Sequence, residues 1–84
     1  MDERTLRALI DAGALKRIRI IANGGAFYVE AEHLTNTVTV HTTTGKLKTW
    51  VTLDAVARWL KNLGIGKAQL ELANWQPGQK GLEL

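Results

Sequence analysis

The chain contains no cysteine and no serine. Without cysteine it has no disulfide framework and no thiolate zinc site, which suits a reducing cytoplasm. Without serine or cysteine it also lacks the usual hydrolase nucleophiles. Proline occurs once, at Pro77, and aromatic residues make up 6% of the chain. No apolar run approaches the ~20 residues of a membrane span. The opening Met1-Asp2-Glu3-Arg4 has neither the basic region nor the long apolar region of a signal peptide. These absences predict a cytoplasmic non-enzyme with no membrane association, no cofactor and no metal.

Apolar residues account for 45% of the 84 positions, enough for one small core. The formal net charge is +3, a mild excess that permits nucleic-acid binding without demanding it.

The stretch from Gly45 to Gly64 organises the rest. It reads as the end of a strand running into a helix. Thr52 is the expected N-cap, Asp54 suits the positive end of the helix dipole, and Val51 and Val56 have the spacing of a hydrophobic staple. Gly64 supplies a left-handed stop, with Ile65 folding back onto the last turn. At 100° per residue, Leu53, Val56, Ala57, Trp59, Leu60 and Leu63 fill one arc, and Asp54, Arg58, Lys61 and Asn62 the other. So wide an apolar arc needs a sheet beneath it.

The remaining segments supply that sheet. Asp2 to Ala12 reads as a first helix, capped by Asp2 and stopped by Gly13. Lys16–Ala22 and Ala26–Glu32 alternate in hydrophobicity on either side of Asn23-Gly24-Gly25, a hairpin turn signal. A turn at Gly24-Gly25 sets Ile20 opposite Val29, Ile18 opposite Ala31, Arg19 opposite Glu30 and Arg17 opposite Glu32. Apolar meets apolar and each charge meets its opposite. A turn at Asn23-Gly24 keeps the faces with a different pairing. A one-residue slip would mix the faces. Thr37–Thr42 and Leu47–Val51 read as two further strands, and Ala68–Ala73 as the last. The predicted order is α-β-β-β-β-α-β: an α+β domain over residues 1–75, with an antiparallel sheet, two helices on one face, and a flexible tail over 76–84. The expected core comprises Ile18, Ile20, Phe27, Val29, Val38, Val40, Val56, Ala57, Leu60, Leu70 and Leu72.

Catalytic constellations are scarce. His33 and His41 fall on opposite strand faces, which makes them poor partners for one metal. Glu30 and Glu32 share a face as an acid pair would, but the hairpin register gives them to Arg17 and Arg19. Gly64-Ile65-Gly66-Lys67 follows a helix and lacks phosphate-loop spacing. The candidates are therefore surfaces. One is the open sheet face with Arg17, Arg19, Tyr28, Thr37, Thr39 and His41, to which Lys48 is a further candidate. Another is the cluster Lys46, Lys48, Arg58 and Lys61, offset only by Asp54, as a phosphate contact. A third is Trp59 and Trp75, as core residues or as anchors for a partner.

The segments Gly24-Gly-Ala-Phe-Tyr-Val-Glu-Ala31, Gly45-Lys-Leu-Lys-Thr-Trp50, Thr52-Leu-Asp-Ala55, Ala57-Arg-Trp-Leu60, Leu63-Gly-Ile-Gly66 and Trp75-Gln-Pro-Gly-Gln-Lys-Gly-Leu82 span nearly the whole chain. Together they resemble the small ParC-like, partition-associated proteins of plasmids and integrative conjugative elements. That resemblance implies a role in maintaining mobile DNA beside a partition ATPase and its DNA-binding partner. It implies no activity and no site residues. Two functions follow as expectations. The first is weak, non-specific DNA or nucleoprotein binding through Lys46, Lys48, Arg58 and Lys61. The alternative is a protein-interaction module that docks on a partition or conjugation protein without touching DNA. A weak homodimer is expected through the edge of the last strand and Trp75.

Overall fold

The structure, a computed structural model, describes residues 1–76. The expected tail lies outside the described residues except for Gln76, whose N–H donates to the Gly24 carbonyl at 2.7 Å. The elements are α1 (Glu3–Asp11), β1 (Leu15–Gly24), β2 (Ala26–His33), β3 (Thr37–Thr39), α2 (Leu53–Asn62) and β4 (Gln69–Trp75). The strands form one sheet in the order β3-β2-β1-β4.

The central hairpin has the predicted register. Ile20 faces Val29, Ile18 faces Ala31, Arg19 faces Glu30 and Arg17 faces Glu32, with Asn23 opposite Ala26 across a Gly24-Gly25 turn. Gly24 has a φ of 64°, a value that a side chain would strain. On one face of this hairpin, Ile18, Ile20, Ala22, Phe27, Val29 and Ala31 are buried against Leu6 of α1 and Val56 and Leu60 of α2. Both helices therefore lie on the same side of the sheet, as expected. Each is capped as its sequence predicts. The Asp2 carboxylate accepts from the Thr5 N–H at 3.0 Å, and the Thr52 hydroxyl accepts from the Ala55 N–H at 3.2 Å. The first bond holds the Asp2 carboxyl below the usual carboxylate range.

Four features depart from expectation. The sheet is mixed, because β4 runs parallel to β1. Parallel neighbours need a crossover, and α2 carries the chain over the sheet to provide it. The fourth β segment is reduced to isolated bridges, Trp50 with Phe27 and Leu47 with His41, and β3 stops at Thr39. The Val51–Val56 staple does not form: Val56 points into the core while Val51 is 78% exposed. Finally, Leu70 and Leu72 are 40% and 44% exposed, Ala57 is exposed, and Val38 is half-buried. The helix packs against β2, so its flank bearing Leu53 and Ala57 overhangs β4 without covering it. Leu6, Ala22, Ala31 and Leu63 complete the core instead.

Candidate interface at the outer strand

Three surfaces compete for a functional role, and side-chain geometry separates them. On the open sheet face, Arg19 is only 18% exposed and lies 2.9 Å from Glu32, 3.6 Å from Glu30 and 3.6 Å from Glu71. Arg17 approaches Glu32 at 3.3 Å. Three carboxylates thus meet two guanidiniums, and the face offers a polyanion no surplus positive charge.

The basic quartet is not one patch. Arg58 is ion-paired with Asp54 one turn back. The Lys48 ammonium sits 5.3 Å from the ring centre of Trp50 and 5.8 Å from that of Trp59, a cation–π geometry. Lys61 lines a depression with Ala57, Gly66 and Lys67. Trp59 and Lys61 are two residues apart, so at 100° per residue they project from opposite flanks of α2. Lys48 and Lys61 therefore lie on different sides of that helix. Lys46 is exposed in the turn after Thr42, where its N–H donates to the Thr42 hydroxyl. Two lysines that the sequence reading passed over, Lys16 and Lys67, converge elsewhere with Arg17. Lys16, Arg17 and Lys67 line a shallow cleft of about 580 Å³ where β1 and β4 begin.

The tryptophans also divide. Trp59 stacks on Trp50 with ring centres 4.8 Å apart, and its indole N–H donates to Glu3 at 3.2 Å. It is half-buried, pins α1 to α2, and serves packing. Trp75 is 40% exposed at the end of β4, its ring centre 6.1 Å from that of Phe27.

Around Trp75 the structure opens. A groove of about 450 Å³ runs between the start of α2 and the inner face of β4. Val51 and Leu53 form one wall and Leu70, Leu72 and Trp75 the other, with Phe27 as the floor. Thr52 is the only other side chain on its lining besides these, so the groove carries no charge. All seven residues of β4 are exposed, and among the described residues no strand pairs with its outer edge. No family model, no curated protein and no solved structure matches the chain.

Among the described residues no three metal-ligating side chains cluster, and no buried polar side-chain atom lacks a partner. No helix among them is long and apolar enough to cross a membrane. Sequence reasoning put Leu70 and Leu72 in the core and so missed the groove. Their alternation with Glu71 identifies an apolar strand face, but the cover over that face is not encoded in the strand itself.

Proposed function

We propose that this chain is a non-enzymatic protein-interaction module whose working surface is the groove between α2 and β4. One observation carries the reading: an uncharged groove lined by exposed Leu70, Leu72, Trp75, Leu53 and Val51 lies beside a strand edge that no other described strand covers. Contiguous exposed apolar surface on a small protein marks a contact site, and an open edge adds main-chain donors and acceptors for an extended segment. The resemblance to partition-associated proteins favours a partition or conjugation protein as the partner, in the maintenance of mobile DNA. The test is peptide display against the full chain. Wild type is expected to enrich extended, apolar-rich peptides, and Leu72→Lys, at an exposed position, to lose them while keeping its melting temperature. No enrichment, or enrichment indifferent to Leu72→Lys, would overturn the reading.

A second reading is DNA or nucleoprotein binding. It is favoured by the cleft where Lys16 and Lys67 stand beside the Glu32-paired Arg17, with no carboxylate on its lining among the described residues. Because the quartet Lys46, Lys48, Arg58 and Lys61 is split, phosphate contact through Lys61 joins this cleft by way of Lys67. Binding of this kind is non-specific, with Kd ~10⁻⁴–10⁻⁶ M at physiological salt and a steep salt dependence. A low-salt mobility shift lost in Lys16→Ala plus Lys67→Ala, and unchanged by Lys46→Ala plus Lys48→Ala, is the expected result. The reverse pattern returns the contact to the quartet, and no shift removes DNA altogether.

A further inference from the structure

We infer that the occupant of the β4 edge and its groove is a second copy of this chain, paired antiparallel about a two-fold axis between Leu72 and Ala73. The inference rests on the interaction reading above and names its partner.

The first support is the edge itself. Natural sheets blunt their outer strands with lysine, proline or a covering helix. Gln69–Trp75 contains neither lysine nor proline, and α2 leaves all seven residues exposed. Its single charge, Glu71, is drawn onto the opposite sheet face by Arg19 at 3.6 Å. It therefore does not guard the apolar side.

The second support is the order of faces along β4. Leu70 lies opposite the buried Ile20 and Trp75 opposite Gly24, both on the helix-covered face. Glu71 lies opposite Ile21 and Asn74 opposite Asn23, both on the other face. The pairing is irregular between Ile21 and Asn23, where β4 carries one extra residue, so Leu72 and Ala73 share the centre. From either end the faces read inward, outward, centre, outward, inward. An antiparallel copy matches this order at every position. Leu70 meets the partner's Trp75 on the apolar face. Glu71 meets the partner's Asn74 on the polar face, where the amide N–H donates to the carboxylate. A parallel copy would instead set Glu71 against its own equivalent, and like charges directly opposite repel.

The contact is isologous and closes on itself, as dimers usually do. It joins the four strands of each copy into one continuous sheet with all helices on one side, and the two grooves meet across the axis.

The absence of cysteine makes the test clean. Sedimentation equilibrium of the full chain is expected to move from 9.3 kDa towards twice that mass with rising concentration. Leu72→Lys should hold the monomer mass throughout with an unchanged circular dichroism spectrum. In a second variant, Ala73→Cys should oxidise to a cross-linked dimer, because facing strands bring Cα atoms within disulfide reach. Leu34→Cys, on the exposed loop between β2 and β3, should stay monomeric. A mass of 9.3 kDa into the millimolar range, with Ala73→Cys cross-linking no faster than Leu34→Cys, overturns the second-copy inference. Should the display experiment still enrich peptides in a Leu72-dependent way, the interaction reading survives with another partner. If the β4 amides that point away from β1 are protected from exchange in a monomeric sample, the outer edge is not open to a second copy and the inference fails.

Discussion

Leu60 and Leu72 are the same residue type in amphipathic elements of the same domain, yet their truncation should cost very different amounts. Leu60 is 3% exposed within the core, so Leu60→Ala should lower stability by ~2–5 kcal/mol, through lost transfer energy and the cavity left behind. Leu72→Ala removes side-chain atoms already near water and should cost about 1 kcal/mol or less. Urea midpoints of the two variants decide between this assignment and one that buries both. Arg19 is the other residue on which much depends. Arg19→Met would leave Glu30, Glu32 and Glu71 close together without their shared cation. The expected loss is about 1–3 kcal/mol. It should shrink as salt screens the repulsion among the carboxylates. Asp2 supplies a pH signature. Its folded carboxyl titrates below the ordinary range because the charged form accepts the Thr5 N–H. The capping stabilisation is thus complete above the ordinary carboxylate pKa and lost as pH falls through the lowered folded value. Melting curves of Asp2→Asn should lack that acid-side component.

At the level of elements, the parts legible in the sequence are those specified by neighbours in the chain. The β1–β2 register follows from the turn glycines and from two charge pairs that agree with the apolar pairs. The helix starts follow from Asp2 and Thr52, whose side chains reach N–H groups three residues on. The end of α2 follows from Gly64, which has a φ of 93° and open space where a Cβ would sit. Gly64→Ala should therefore cost only the left-handed backbone term, about 1–2 kcal/mol, measured by thermal unfolding. Gly25→Ala, outside that backbone region and with equal space, should be close to neutral. What was not legible depends on how distant elements sit on one another. An apolar stripe on β4 looks the same whether its own helix or another chain covers it. The direction of β4 depends on the path of the crossover through α2 rather than on its own residues. The Trp59 contact with Glu3 spans two helices far apart in sequence, and neither residue alone announces it.

For the molecule as a whole, the net charge of +3 is spread unevenly, and this separates the two functional readings. The open sheet face is neutralised internally, the groove beside β4 is uncharged, and the lysines stand apart from both: Lys16 and Lys67 near the start of β1 and β4, Lys46 and Lys48 in the segment before α2. Added salt should therefore weaken any DNA complex while leaving self-association through the groove intact or stronger, since apolar burial is not screened. Sedimentation at low and high salt, with and without duplex DNA, should show these opposite trends. The parallel seat of β4 also bears on how the chain folds. Leu70 pairs with Ile20 across a separation of fifty residues, whereas Ile20 and Val29 are joined by one tight turn. The hairpin can close early, but the outer strand must wait until the helix before it has docked, because a distant pairing pays its loop entropy before any contact returns it. The edge that offers itself to a partner should then be the last to form and the first to open. Amide exchange in a dilute sample should find β4 the least protected strand, with protection rising as the protein is concentrated.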